Sequence, residues 1–220
     1  MEEEIVLPRK GDILFGDSVP ASGSSAHINI TWADPEIGYT EGYRRGARLL
    51  VEHVVESQRD QDYLVYPIVF LYRHHIELAL KNLILRAPYL MGRSLTSTEE
   101  KHRSRSHSLE VLWKDLKPML TTICKAAGWN KPDAADVEGI DSYIRQLTLL
   151  DANSYSFRYV HSTDGKPLLP PGLKYIDLGH FSEMLERLAD YFDALDTSLT
   201  VLGEDKMEME AWRSSYGDYA

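Results

Sequence analysis

Residues 66–85, YPIVFLYRHHIELALKNLIL, are almost entirely apolar but hold a charged cluster near their centre. An α-helix repeats every 3.6 residues, so Arg73, Glu77 and Lys81 lie on one face of the helix that this pattern predicts. Apolar residues cover most of the other faces: Val69, Leu71, Ile76, Leu78, Leu80, Leu83, Ile84 and Leu85. The helix leaves few positions for solvent. The charged cluster is therefore either a narrow salt-bridged surface or a paired polar site inside an assembly.

The same period recurs along the chain and predicts an all-α protein, a helical bundle. Long helices are expected at 38–58, 63–87, 107–127, 136–151 and 177–201. Thr40, Asp177 and either Asp133 or Asp136 are the expected helix starts, while Pro88 ends the second helix and Pro118 kinks the third. Alternating residues followed by Asp164-Gly165 predict a small β-hairpin or loop insertion near 156–169.

The two ends of the chain differ from this central region. Residues 1–36 are rich in Gly, Ser, Pro and Asp, which predicts an extended arm with HINITW, residues 27–32, as a short strand. Residues 37–202 form the expected helical domain. Residues 203–220 are acidic and lack an apolar period, which predicts a mobile tail.

Composition limits the partners and the compartment. A net charge of −10 argues against a protein coated in nucleic acid, although a small basic site such as KHRSRSH, residues 101–107, remains compatible with it. The single cysteine, Cys124, rules out an internal disulfide and favours a reducing compartment. The acidic start and the lack of a long apolar run predict a cytoplasmic protein with no membrane contact.

Cofactor and metal motifs are missing from the sequence. It holds no Gly-rich phosphate loop, dinucleotide fingerprint, cysteine-based zinc pattern or serine nucleophile elbow. His74 and Glu77 stand three residues apart, but the Glu-x-x-His order of helical di-metal sites is reversed and has no second copy. We therefore expect no cofactor and no metal.

Arginine and histidine are the polar residues left for chemistry. Metal-independent RNA cleavage needs a base, an acid and a cation on the phosphate, and histidine with arginine supplies all three. They occur together at 73–75, 103–107 and 158–161. Each group also has a structural alternative. His74 or His75 can border the core, His107 can satisfy a helix N-terminus, and Arg158 can pair with Asp151.

Three segments, in this order, resemble the HEPN family of small helical domains. The first is E-x-x-x-K-N-L-I at 77–84, the second is HSLEVL at 107–112, and the third is SFRYVHSTDG at 156–165. The resemblance covers about residues 62–200. It implies an antiparallel helical bundle that forms a homodimer, with arginine and histidine residues facing each other in an RNA-cleaving site. Such proteins serve prokaryotic toxin–antitoxin, anti-phage defence or abortive-infection systems.

The resemblance also implies roles for individual residues. Arg158 would bind the phosphate, His161 would act as the base, and Arg73 with His74 would supply the second cation and the acid. Glu77 would hold that pair in place. Supporting residues would be Tyr159, which stacks on or hydrogen-bonds the substrate, together with His107 and Asp151. Arg158 and His161 are, however, closer in sequence than the corresponding residues of active members.

Three functions remain open from the sequence. The first is an effector that binds or cleaves RNA, which the clustered arginine and histidine residues favour. The second is a non-catalytic adaptor or sensor that binds a partner or antitoxin protein, which the acidic net charge favours. The third is a pocket protein that holds an anionic small molecule with Arg158 and Arg73.

Overall fold

The structure, a computed structural model, describes residues 7–12, 23–26, 28 and 35–216. The chain divides into two units, residues 1–35 and residues 36–220. In the first unit, a turn closes where the Asp12 amide donates to the Arg9 carbonyl at 3.0 Å. The predicted strand at 27–32 lies outside the described residues, apart from Ile28.

The second unit is all-α in the part that the structure describes, as the sequence predicts. Its helices are α1 (Pro35–Ser57), α2 (Gln61–Leu90), α3 (Ser97–Arg105), α4 (Leu109–Leu116), α5 (Leu120–Ala126), α6 (Ala134–Leu150) and α7 (Leu178–Tyr216). A 3₁₀ turn, Lys117–Met119, separates α4 from α5, so Pro118 interrupts the predicted third helix. The five expected helices are found, the third as α4 and α5, with boundaries that differ by a few residues except at the end of α7. Pro88, the predicted end of the second helix, lies inside α2, which continues to Leu90.

Helix α2 is the central element, because its apolar residues face several neighbours. It packs against α7, α4, α3 and α5. Its fully buried side chains include Ile68, Tyr72, Ile76, Leu80, Leu83 and Ile84. Burying a side chain of this size stabilises a fold by roughly 1.5–3 kcal/mol, so this one helix supplies much of the core.

Hydrogen-bonded caps begin several helices. Asp133 accepts a bond from the Ala135 amide at the start of α6, and Asp177 accepts one from the His180 amide at the start of α7. Thr40, in contrast, lies inside α1 and donates to the Glu36 carbonyl at 2.8 Å. The prediction that Thr40 begins α1 is therefore wrong, because the helix starts five residues earlier, at Pro35.

The predicted β-hairpin at 156–169 is not formed. Among the described residues, this segment contains a single antiparallel bridge, between His161 and Pro167. Pro167 has no backbone N–H to donate, so the ladder cannot continue through it. The residues before the bridge are turns, and they extend from the end of α6.

The structure also differs from the prediction of a mobile tail at 203–220, because α7 continues through 203–216. Lys206 donates to the Tyr89 carbonyl and lies 4.4 Å from the centre of the Tyr89 ring, while the Tyr89 hydroxyl donates to Glu210 at 3.0 Å. These contacts join the extension to the end of α2. Sequence periodicity missed it because its contacts are polar and cation–π rather than apolar.

Within the ranges that the structure describes, no helix has the length and apolar character needed to cross a membrane.

Candidate functional site

Arg73 lies in a buried polar network at the centre of α2. Its side chain is 1% exposed. Nε donates to the Asp151 carbonyl at 3.0 Å, one terminal nitrogen donates to Glu77 at 3.0 Å, and the other donates to the His107 carbonyl. Asp151 caps the end of α6, and His107 precedes α4. One guanidinium therefore connects three elements, and its buried position excludes direct contact with a substrate.

Glu77 is the anion of this network and is equally buried. Its Oε1 atom accepts from Lys81 Nζ at 2.8 Å and lies 2.9 Å from His107 Nδ1. Burial by itself would raise the pKa of Glu77, but the hydrogen bonds from Lys81 and His107 and the charge of Arg73 hold that pKa below its ordinary value. Glu77 is thus a fixed carboxylate that orients the half-exposed His107 ring.

A loop after α6 positions Arg158. Asp151 Oδ1 accepts from the backbone amides of Tyr155 at 2.8 Å and Ser156 at 3.1 Å. Ser154 has a φ of 64°, a left-handed conformation that is uncommon for a residue other than glycine. The Ser154 carbonyl then accepts from Arg158 Nε. The loop geometry therefore fixes the base of the Arg158 guanidinium while leaving the residue exposed.

Three aromatic rings surround the Arg158 guanidinium. Its central carbon lies 5.3 Å from the centre of the Phe70 ring, 5.0 Å from Tyr155 and 5.7 Å from Tyr159. We call these four residues the Arg158 patch. Tyr155 and Tyr159 are exposed. An exposed cation with exposed rings at its sides can bind an anion and stack a flat group at the same place.

His74 adjoins this patch through Phe70. The two rings are stacked with their centres 5.6 Å apart, and the Tyr43 ring meets His74 edge-on at 4.5 Å. Burial is the main cause that lowers the pKa of His74; Glu77 raises it, and Lys81, Arg73 and Arg158 lower it further. The lowered pKa favours the neutral imidazole of His74, which is the form that accepts a proton.

The structure thus separates the predicted site residues into two connected groups. One is the buried network of Arg73, Glu77, His107 and Asp151. In the other, Phe70 contacts both His74 and Arg158, and Tyr159 lies beside Arg158. Asp151 pairs with Arg73, its Oδ2 lying 3.7 Å from Arg73 Nε. The sequence alternative that paired Asp151 with Arg158 is therefore not observed. His161 is exposed in the bridge to Pro167, and its side chain has no hydrogen bond or ion pair within the described ranges.

Sequence reasoning missed two residues of the Arg158 patch, Phe70 and Tyr155. A signal for Phe70 was present, because it precedes His74 by four residues and so shares its helix face. Tyr155 had no comparable signal, since a loop that turns back on itself brings it to Arg158. No group of three or more His, Cys, Asp or Glu side chains suited to a metal ion occurs among the described residues.

His75 gives the bundle a testable pH dependence. Its ring is fully buried, with Nδ1 2.9 Å from the Thr40 carbonyl. Burial lowers the pKa of His75, and the bond to Thr40 only partly opposes this. The unfolded chain therefore binds more protons once the pH falls below about 6.5, so stability declines as the pH falls further. We expect the melting temperature to drop between about pH 7.5 and about pH 5.5, and to drop less in His75→Leu.

The comparison of His75→Leu with the wild type isolates the contribution of His75 to the pH dependence of the melting temperature, because His74 and the carboxylates are present in both proteins. Arg44, Glu41 and Asp193 face His75 and are also kept. An equal fall in melting temperature in both proteins would show that His75 does not set the pH dependence. Thermal melts followed by circular dichroism provide the measurement.

Comparisons with known proteins add no relative: no family model, no curated protein and no solved structure matches the chain.

Proposed function

We propose that this protein binds single-stranded RNA at the Arg158 patch and cleaves it without a metal, as an effector of the HEPN-like type. The observation that carries the proposal is the meeting of Arg158 and His74 at Phe70, with two exposed tyrosines beside the Arg158 guanidinium. Sequence-specific and single-stranded RNA recognition stacks unpaired bases on aromatic side chains and holds phosphates with arginine.

Local charge at this place differs from that of the whole chain. The net charge is −10, yet Arg158 is an exposed cation, and the pKa of His74 responds to the charges of Lys81, Arg73 and Arg158 as well as to that of Glu77. A small cationic region on an acidic protein favours a short contact with one or two phosphates over a long coated surface.

We assign the cleavage step to two imidazoles. His74 would take the proton of the ribose 2′-hydroxyl, and the 2′-oxygen would attack phosphorus while the bond to the 5′-oxygen breaks. The leaving 5′-oxygen needs a proton, which we assign to His107, because its Nδ1 faces Glu77 and leaves Nε2 to exchange a proton. Arg158 would stabilise the charge on the phosphate. The products would be a 2′,3′-cyclic phosphate and a 5′-hydroxyl.

Arg158→Ala tests the binding part of this proposal. Losing both the cation and its stacked plane is expected to weaken binding of a short single-stranded RNA by about 5- to 150-fold, an effect of about 1–3 kcal/mol. Fluorescence anisotropy at low salt provides the measurement. Arg187→Ala is the matched control, because Arg187 is an exposed arginine on α7 that pairs with Glu183.

Arg158→Lys refines the same test. Lysine keeps the charge but loses the planar fork that stacks on rings, so its binding is expected to lie between those of the wild type and Arg158→Ala. RNA binding that is equal in Arg158→Ala and Arg187→Ala would contradict the proposal.

A partner-protein function is the second candidate, favoured by the exposure of apolar residues in the same loop. Tyr155, Tyr159 and Val160 are all exposed, and exposed apolar groups of this kind also mark protein interfaces. A wild-type protein that leaves RNA unbound would favour this adaptor or sensor function. The homodimer, the antitoxin partner and the defence setting that the resemblance implies also stay predictions.

A further inference from the structure

A pocket lies beside the Arg158 patch. It is an open cleft with a volume of about 430 Å³, lined by the end of α1, the start of α2 and the segment before α7. Ligand-binding pockets in proteins have volumes of roughly 300–1,000 Å³. Tyr66 and Phe157 form part of its wall, and Gln58, Asp62 and Lys174 contribute polar groups. We call it the α1–α2 pocket.

The α1–α2 pocket and the Arg158 patch are adjacent along α2. Tyr66 precedes Phe70 by four residues, which corresponds to about 6 Å along a helix axis. The Tyr66 and Phe157 rings are 6.4 Å apart, and Phe157 directly precedes Arg158. Asp62, Tyr66, Phe70 and His74 thus follow one another at four-residue spacing on one face of α2. A nucleic acid strand held at Arg158 can therefore place its neighbouring base in the pocket.

The end of α1 forms one edge of the pocket. Gln58 has a φ of 54°, its backbone amide donates to the Val54 carbonyl at 2.9 Å, and its side-chain amide donates to the Val55 carbonyl at 2.8 Å. This is the left-handed C-cap that commonly ends a helix. It holds the Gln58 side chain at the pocket lining.

We propose that the α1–α2 pocket binds one unpaired nucleobase of the RNA, with guanine preferred. Guanine carries two adjacent donors, its ring N1–H and its amino group, which match the two oxygens of the Asp62 carboxylate. Its O6 acceptor needs a donor, and Lys174 supplies one on the same pocket lining. Adenine, cytosine and uracil do not offer this combination. This inference rests on the proposed RNA binding at Arg158.

The test uses four labelled RNAs of equal length that differ only in one central base, G, A, C or U, flanked by uridines. Wild-type protein is expected to bind the guanine RNA about tenfold more tightly than the others, as one good bidentate pair allows. Asp62→Asn is expected to remove this preference, because an amide offers only one acceptor to the two adjacent guanine donors. Glu56→Gln, the same change at an exposed residue of α1 outside the pocket lining, should keep the preference.

The outcomes separate this inference from the proposed function. Loss of the guanine preference in Asp62→Asn alone would support the pocket assignment. Four RNAs bound equally by the wild type, with binding lost in Arg158→Ala, would overturn the pocket assignment and leave RNA binding intact. A guanine preference that Asp62→Asn retains would also overturn it. Failure of the wild type to bind any RNA would overturn both proposals together.

Discussion

Arg73→Ala is expected to lower the free energy of unfolding by about 3–5 kcal/mol, the range measured when one partner of a buried ion pair is removed. The guanidinium is 1% exposed and donates hydrogen bonds to Glu77 and to the backbone carbonyls of Asp151 and His107. Without it, the Oε2 atom of Glu77 loses its donor, and both carbonyls lose their bonds to Arg73. Urea denaturation followed by circular dichroism measures the change.

Two further variants sharpen this test. Arg187→Ala, which breaks an exposed pair with Glu183, is expected to cost less than about 1 kcal/mol. The free energy of unfolding of Arg73→Lys should lie between those of the wild type and Arg73→Ala. A lysine keeps the charge beside Glu77 but cannot reach three acceptors in different directions. An Arg73→Ala protein that is as stable as the wild type but cannot cleave RNA would instead support the catalytic role implied by the resemblance.

His74→Ala is expected to reduce RNA cleavage by about a hundredfold or more while RNA binding persists, because it removes the proposed base but keeps Arg158. The cleavage rate should rise with pH over a range below about 6.5, since the folded pKa of His74 is lowered from that ordinary value. Gel analysis of a labelled RNA measures the rate. Addition of a chelator should leave the rate unchanged.

Replacing other histidines distinguishes the two assignments of the base. His180→Ala removes an exposed histidine on α7 and is the matched control. His161→Ala tests the assignment that the resemblance implies. If His161→Ala abolishes cleavage and His74→Ala does not, His161 is the base and the proposed role of His74 is wrong.

Much of the fold follows from local patterns in the sequence. Some features depend only on residues within a few positions of one another: the apolar period of α2, the caps at Asp133 and Asp177, and the break at Pro118. Such contacts form in any helix with that sequence, so the pattern predicts them. Local patterns did not predict the structure of two segments. The hairpin expected near 156–169 does not form, because Pro167 cannot continue the ladder. Residues 203–216 are helical, because Tyr89 binds this extension of α7.

The candidate site shows the same division. The sequence alone determined that Arg73, Glu77 and Lys81 share a helix face, and that arginine and histidine are the residues available for chemistry. Which of them are accessible depends on how the helices and the loop after α6 pack together. Arg73 is buried because the end of α6 and the residues before α4 cover it and accept its hydrogen bonds through the carbonyls of Asp151 and His107. Arg158 is exposed because a loop anchored on Asp151 carries it outward. Burial depends on contacts between residues distant in sequence, and no local period encodes those contacts.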